Sequence, residues 1–288
     1  MLFRSFGTFN VLLIEISFAV SFTMPFLKGF GLLLRRSLGS HFAVKRISSS
    51  TWLSFWRSIA PIDNGHPLIR IGSQNDGGYL VPDDLNGISM CLSPGVSNIM
   101  DFEIQLLAEY NIPSILIDAS VKEPELPSER MQFRSSFVGP FELENFITIE
   151  LLCKELLERN FKPLYMLQMD IEGFEYSTLL ATSLDTLMNF RISILEFHNL
   201  EEWVNEGFFE SVIRPLFSAL MEKFDVVHVH PNNCDGTFSF HGRQYPRALE
   251  ITLHSKGRKI SNSGYRELPH PLDANNSPVL PGISLRFD

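Results

Sequence analysis

Two carboxylates follow an apolar segment near the middle of the chain. The stretch "LYMLQMDIEGFEYSTLL", residues 164–180, runs to Asp170, Ile171, Glu172 and Gly173, and a pattern of helical period begins directly after them. Acids at the carboxyl end of a buried strand lie where open α/β sheets bind ligands. There Asp170 could accept a hydrogen bond from a ligand amine or orient a hydroxyl, and Glu172 could act as a base if burial raises its pKa. Alternatively, Glu172 only begins the next helix, where an acid meets the positive end of the helix dipole.

Two short triplets, "EFH" at 196–198 and "HVH" at 228–230, contribute further reactive side chains. Strand alternation places the two outer residues of each triplet on the same side. His198 and His230 could therefore act as a general base for a hydroxyl nucleophile, or join Asp170 as metal ligands. A single histidine on a strand is more often structural, but two at strand ends favour catalysis or substrate binding. We assign both histidines to catalysis, together with the two acids of the preceding segment, and assign no metal.

Strand and helix patterns alternate from Pro61 onward and would position these side chains. Apolar runs predict strands at 88–95, 113–120, 131–139, 164–170, 191–199, 225–233 and 247–255. Helical spacing predicts helices at 101–110, 142–160, 174–180 and 208–224. Repeated strand–helix units indicate a parallel sheet that is covered on both faces. The predicted fold is therefore α/β, with a doubly wound, mostly parallel sheet of seven strands.

The loop after the first predicted strand, "SPGVSN", and Asp118 at the end of the second suggest a bound nucleoside. In a doubly wound sheet, that loop and the following helix N-terminus hold the ligand, while the acid accepts from ribose hydroxyls. We therefore predict that Ser93, Gly95, Ser97 and Asp118 bind a cofactor. Alternatively, the glycine only turns the chain and the acid only caps the next turn. The Gly-x-Gly-x-x-Gly of pyrophosphate binders is absent, which favours a nucleoside without a pyrophosphate, such as S-adenosylmethionine (SAM).

Five segments in a fixed order resemble a known family. They are "RIGSQNDGGYLVPDD", "SPGVSNIMDFE", "LQMDIEGFEYSTL", "LEFHN" and "VHVHPNN". Together they are similar to the FkbM-type methyltransferase domain, especially its branch with an Asp-Gly-Gly-Tyr segment, over roughly residues 66–254. The resemblance implies a Rossmann-like class I methyltransferase that uses SAM. It favours methyl transfer to an oxygen of a sugar or another small hydroxylated acceptor.

The resemblance also bears on two loops. The "NDGG" segment would otherwise be an ordinary turn, but in this family branch Asp76 and Gly77 are expected to face the cofactor or the substrate. Many family members carry a fuller Asp-x-Gly-x-Asn-x-Gly type of first loop, whereas this chain has Ser93-Pro94-Gly95-Val96-Ser97.

Three alternatives to a methyltransferase stay open. Asp170-Ile171-Glu172 could be an Asp-x-Asp-like motif of a membrane-anchored glycosyltransferase that binds a metal and a sugar nucleotide, although the position of Asp118 fits a nucleoside elsewhere on the sheet. A nicotinamide oxidoreductase is disfavoured, because the chain lacks the glycine fingerprint and any Tyr-x-x-x-Lys pair. A non-catalytic nucleoside-binding domain is the third alternative.

Charge and hydropathy divide the 288-residue chain in two. The net charge is −9, which argues against nucleic acid as a partner, yet residues 1–62 alone carry +6. Their apolar run is long enough to span a bilayer, which takes about 20 residues, although Glu15 and Lys28 interrupt it. We expect a single-pass signal-anchor that holds the protein at a membrane; alternatives are a cleaved targeting peptide that leads to an organelle, or an amphipathic surface segment.

The predicted organisation has three parts. Residues 1–60 form the anchor or targeting leader and a linker, residues 61–258 form the methyltransferase-like domain, and residues 259–288 form a C-terminal extension. The three cysteines lie far apart in sequence and indicate neither a disulfide framework nor a zinc knuckle.

Overall fold

The computed structural model describes residues 45–97, 99–261 and 263–288. The strands in these residues are β1 (Leu68–Gly72), β2 (Gly78–Pro82), β3 (Met90–Pro94), β4 (Ser114–Ile117), β5 (Met131–Arg134), β6 (Phe137–Val138), β7 (Phe146–Ile147), β8 (Tyr165–Met169), β9 (Phe190–Phe197), β10 (Phe224–Phe240) and β11 (Arg243–Ser255). The α-helices are α1 (Ser49–Ser58), α2 (Asp101–Tyr110), α3 (Ile149–Glu158), α4 (Glu175–Ala181), α5 (Leu184–Leu187), α6 (Glu206–Phe208) and α7 (Arg214–Lys223). A π-helical segment, Phe209–Ile213, joins α6 to α7.

Seven strands form one sheet in the order β10-β11-β9-β8-β3-β4-β5. The pairs β4–β5, β3–β4, β3–β8 and β8–β9 are parallel, whereas β11 is antiparallel to both β9 and β10. The α/β class and the mostly parallel seven-stranded sheet predicted from the sequence are therefore confirmed. The strand order reverses at β3, which lies between β4 and β8, so the carboxyl ends of these strands flank a crevice suited to a ligand.

The central strands are buried along their whole length, which explains their nearly continuous apolar sequences. Every residue of β3, β4, β8 and β9 is buried, as expected for strands with covered faces. The helix predicted at 142–160 is shorter in the structure. Phe146–Ile147 pairs with β6 as β7, and Thr148 then caps α3 by accepting a hydrogen bond from the Leu151 N–H. The polar cap, rather than the helical spacing, determines where α3 begins.

The folded unit begins earlier than the boundary predicted at residue 61. It spans Ile47–Asp288, because α1 packs into the main core through two buried indoles. The Trp52 and Trp56 rings stack with centroids 5.3 Å apart, and each is 1% exposed. The segment predicted as a C-terminal extension belongs to the same unit, since Trp56 Nε1 donates to the Arg286 carbonyl at 2.8 Å. The buried tryptophans of α1 thus connect the N-terminal and C-terminal ends of this folded unit.

The predicted membrane anchor falls mainly on residues 1–44, which lie outside the described residues. In the part of the chain that the structure does describe, no helix is long and apolar enough to cross a membrane.

Candidate functional site

The loops after β3 and β8 meet at the crevice. Gly95 has φ +87°, and its N–H donates to the Ile117 carbonyl at 2.9 Å, while the Asp170 N–H donates to the Pro94 carbonyl at 3.1 Å. A Cβ atom on Gly95 would lie 1.4 Å from the Asp170 carbonyl oxygen. Only glycine therefore fits there, because both the backbone conformation and the approach of Asp170 exclude a side chain. These two constraints explain why residue 95 is glycine, with no need to invoke a bound ligand.

Asp118 lies directly after β4 and is partly exposed at the same edge of the sheet. Its Oδ1 accepts from the backbone N–H and the hydroxyl of Ser120, at 2.5 and 2.6 Å. The capping role considered as the alternative for this acid is therefore present. Its other oxygen has no hydrogen-bond partner within the described residues. Capping and ribose binding are compatible, because they can use different oxygens of the same carboxylate.

The two serines of the predicted cofactor loop lie in different environments. Ser93 is completely buried; its hydroxyl donates to Gln168 Oε1 at 2.7 Å and also contacts the carboxyl group of Glu103. Ser97 is exposed, and its Oγ accepts from the Ile99 N–H at 3.1 Å. The Ser93 side chain thus packs beneath the loop, out of reach of a ligand in the crevice. The hydroxyl of Ser97 lies at the surface, beyond Gly95.

Asp76 and Gly77 lie in the turn between β1 and β2, and this turn packs against the loop after β3, the predicted cofactor loop. Gly77 has φ +76°, and a Cβ atom there would lie 2.7 Å from Ile99 Cγ2. Asp76 Oδ1 accepts from the Gly77 N–H at 3.1 Å and from Asn276 Nδ2 at 3.4 Å. The hairpin and the C-terminal segment therefore meet next to the loop that follows β3.

Asp170, Glu196 and His198 converge at the ends of β8 and β9. The pairing of Met169 with Leu195 brings the residues that follow them side by side. His198 Nδ1 lies 2.8 Å from Glu175 Oε1, an acceptor that is fully buried at the start of α4. His198 Nδ1 therefore carries the proton of this bond. Its Nε2 lies 3.6 Å from Asp170 Oδ1 and 3.6 Å from Glu196 Oε1, longer than ordinary hydrogen bonds.

The electrostatics of this cluster reflect an excess of buried negative charge. Burial raises the pKa of Asp170 to about 7; the imidazole of His198 opposes this shift, while Glu172 and Glu175 add to it. Burial and the charge of Asp170 raise the pKa of Glu196 well above its usual range. Burial alone would lower the pKa of His198, but the hydrogen bond and charge of Glu175 outweigh it and raise that pKa to about 10. Several carboxylates thus compete for one imidazole.

Glu172 does not have the burial on which its predicted role as a base depended. Its side chain is 74% exposed, and its carboxylate lies 4.0 Å from His198 Nε2. Its backbone has φ +56°, an uncommon conformation for a residue other than glycine. This residue lies at the solvent-facing rim of the cluster, whereas Asp170 Oδ1 is inaccessible to solvent.

His230 belongs to a second cluster rather than to the one around His198. Asp273 Oδ1 lies 2.9 Å from His228 Nε2 and 3.6 Å from His230 Nδ1. Between the two clusters lies Glu250 of β11, whose partners in register are Glu196 on one side and His230 on the other. The structure thus assigns the two histidines to different clusters, and His230 contacts the C-terminal segment.

Two further buried acids of this region, Glu175 and Glu250, are missing from the residues that the sequence singled out. Glu175 looks like an ordinary acid in the first turn of a helix, and its partner His198 is 23 residues away. Glu250 lies between Leu249 and Ile251 in a strand, and an acid within such an apolar run is the signal that could have identified it. Burial raises the pKa of Glu250, which accepts from Asn276 Nδ2 at 2.7 Å.

The chain matches no family model, no curated protein and no solved structure. The FkbM resemblance therefore depends on the sequence segments quoted above.

Proposed function

We propose that the domain is a SAM-dependent methyltransferase that transfers a methyl group to an oxygen of a sugar or another small hydroxylated molecule. The observation that carries the proposal is the strand order. When the strands of this sheet are numbered in chain order from β3, the seventh strand, β11, is antiparallel to its neighbours and lies between the fifth, β9, and the sixth, β10. Class I methyltransferases have this insertion, whereas the dinucleotide-binding order 3-2-1-4-5-6 has no such strand.

The positions of the crevice residues agree with a cofactor that lies across Gly95. On one side of this glycine is Ile117, followed by Asp118, and on the other side is the backbone of Asp170. A SAM molecule whose ribose hydroxyls bond to Asp118 would extend its methionine part over Gly95 towards Asp170. The acceptor would then bind next to Asp170, where Glu196 and His198 also lie.

Methyl transfer of this kind is an in-line displacement. The acceptor oxygen forms a bond to the methyl carbon, the carbon–sulfur bond breaks, and its electron pair remains on sulfur as a neutral thioether. The proton of the acceptor hydroxyl must leave as well. Because the sulfonium already carries the positive charge that drives the reaction, the protein's main contribution is to hold the two reactants close and aligned.

Isothermal titration of the full chain with SAM and with its demethylated product tests this proposal. Wild-type protein should bind both ligands, and Asp118→Ala should weaken binding by about 1–3 kcal/mol, the usual loss when a buried polar group, here a ribose hydroxyl, is left without its partner. Asp185→Ala, which removes an exposed acid of α5, serves as the control and should bind like wild type. Absence of SAM binding in the wild type, or binding of a nucleotide sugar or a nicotinamide cofactor in its place, would overturn the proposal.

A further inference from the structure

Three groups of side chains in the described residues each bring three potential metal-ligand atoms within 4.8 Å of one another. The first is His66, Asp84 and His254, the second is His228, His230 and Asp273, and the third is Asp170, Glu196 and His198. What distinguishes the three groups is how their polar atoms are already used and which charges lie beside them.

The group around Asp84 is already neutralised by protein cations. Arg258 donates to both carboxylate oxygens of Asp84, each at 2.7 Å, and Arg191 Nη1 lies 3.3 Å from Oδ1. His254 uses its Nδ1 with Asn64 at 3.0 Å and its Nε2 with Asp84 at 3.2 Å. Two guanidinium groups already neutralise this carboxylate, so it would attract a further cation only weakly.

The group around Asp273 faces an arginine. Arg70 lines the same small cavity as His228, His230 and Asp273, and its charge opposes protonation of His230. That guanidinium would repel a divalent cation, and Glu250, which lines the same cavity, offsets part of this repulsion. Asp273 also already contacts both imidazoles of the group.

The group around Asp170 has no such compensation. Among the described residues, neither lysine nor arginine forms an ion pair with Asp170, Glu175 or Glu196, and all three acids face His198. Asp170 Oδ1 is inaccessible to solvent and has no hydrogen-bond partner. His198 is 9% exposed, and its Nε2 makes no hydrogen bond to a described residue. An unpartnered nitrogen thus points between two carboxylates in a buried, negatively charged position.

Hydrogen bonds from neighbouring side chains orient His198 and Glu196 in the way that metal ligands are usually oriented. Glu175 accepts the Nδ1 proton of His198 and so directs Nε2 at the two acids, where a bound cation would take the place of the Nε2 proton. A carboxylate in this position usually supports a metal-binding histidine. Asn232 Nδ2 donates to Glu196 Oε1 at 2.8 Å and fixes that carboxylate as well. Since metal–ligand distances are about 2.0–2.2 Å, a single cation can contact two atoms that lie 3.6 Å apart.

We propose that Asp170 Oδ1, Glu196 Oε1 and His198 Nε2 bind one divalent cation of the Mn²⁺ or Zn²⁺ type at the edge of the crevice. Carboxylates alone suit Mg²⁺ and Ca²⁺, but an imidazole among the ligands favours these softer ions. Three protein ligands leave coordination positions open for a substrate. This revises the sequence-based assignment, which gave Asp170 and His198 to acid–base catalysis and named no metal.

The cation also narrows the acceptor class, an extension that rests on the proposed methyltransferase function. A cation held by these three side chains would offer its remaining coordination positions to a molecule with two adjacent oxygens, such as a vicinal diol or a 2-hydroxy acid. A hydroxyl bound to a divalent cation loses its proton to water more readily. The resulting oxygen would then form a bond to the methyl carbon while the carbon–sulfur bond breaks, and the electron pair of that bond would stay on sulfur.

Mn²⁺ binding to the full chain in mild detergent, without SAM, tests the site directly. Electron paramagnetic resonance reports the loss of the free Mn²⁺ signal, and one ion should bind per chain. Asp170→Asn and His198→Ala should each weaken binding at least tenfold, and Glu175→Gln should weaken it about 10–100-fold through the orientation of His198. His230→Ala and Asp118→Ala should bind Mn²⁺ like wild type.

Thermal unfolding in chelator separates loss of the site from loss of the fold. Without a cation, Asp170→Asn removes one of several buried like charges, so its Tm should equal or exceed that of the wild type. Absence of Mn²⁺ and Zn²⁺ binding in the wild type would overturn the proposal. So would binding that Asp170→Asn keeps and His230→Ala loses, since the ion would then lie in the second cluster. Neither result depends on SAM, so failure here is distinct from failure of the proposed function.

Discussion

Gly95 links the two halves of the candidate site at the scale of single residues. Its N–H bonds to the Ile117 carbonyl, next to Asp118, and its Cα faces the Asp170 carbonyl on the opposite side. The loop after β3 is thus held between the predicted ribose acceptor and the cluster around His198. A change at this glycine should disturb both sides together.

Gly95→Ala should destabilise the protein far more than an alanine at another glycine of similar conformation. Gly236 has φ +71°, close to the +87° of Gly95, but a Cβ atom there would meet nothing within 4 Å. Gly236→Ala therefore measures the conformational cost alone, about 1 kcal/mol. Gly95→Ala adds the clash with the Asp170 carbonyl, which should cost at least about 2 kcal/mol more. Urea unfolding of both variants measures the difference, and equal losses would contradict this account.

At the scale of elements, local patterns predict the strands but not their long-range partners. The apolar runs that end at Pro94, Ile117 and Met169 are strands in the structure, because a strand buried on both faces needs continuous apolar residues. The same reasoning missed α1, since a short helix rich in aromatic residues resembles the basic leader before it. The packing of α1 into the core depends on Tyr245 of β11, which lies nearly 200 residues later in the chain. The Tyr245 ring contacts both indoles of α1 edge to face.

Trp56→Ala should show that α1 belongs to the folded domain. Trp56 is 1% exposed, stacks on Phe287 with centroids 5.2 Å apart and donates to the Arg286 carbonyl. Truncation of a buried tryptophan to alanine typically costs about 3–5 kcal/mol. Ser54→Ala, at an exposed position of the same helix, should change stability by less than about 0.5 kcal/mol. Thermal unfolding compares the two variants, and a small effect of Trp56→Ala would instead support the domain boundary at residue 61.

At the scale of the whole molecule, the acids of the three potential metal-ligand groups differ in whether arginine side chains neutralise them. Asp84 is matched by two arginines, although it lies in a buried group. Within the described part of the chain, Asp170 and Glu196 pair with the imidazole of His198 and with no lysine or arginine. The sequence predicted that an acid at the end of β8 and a histidine after β9 would lie at the same sheet edge, since parallel strands place their carboxyl ends together. It could not predict which acids are neutralised, because the arginines that do so come from other parts of the chain.

The group around Asp84 should make the protein sensitive to acid. Burial, opposed by Asp84, lowers the pKa of His254 from its ordinary value of 6.5 to about 4. As the pH falls from 6.5 to 4, the unfolded chain binds a proton at this residue that the folded chain does not, so stability should decrease. The loss over this window is about 3 kcal/mol, from about 1.4 kcal/mol per pKa unit.

His254→Gln should remove this part of the pH dependence. Urea unfolding between pH 7 and pH 4 should show a shallower loss of stability in the variant than in the wild type, whatever its stability at pH 7. The exposed His241 provides the control, since His241→Gln should keep the wild-type slope. A variant at residue 254 that keeps the full slope would show that acid sensitivity originates elsewhere.

The central claim is that SAM binds across the loops after β3 and β4. Hydrogen–deuterium exchange of the full chain, with and without saturating SAM, tests it most directly because it locates the bound ligand. We expect slower exchange in two segments, residues 95–100 and residues 118–120, and unchanged exchange in α1. Slower exchange confined to other segments, or no change anywhere with saturating SAM, would contradict the claim.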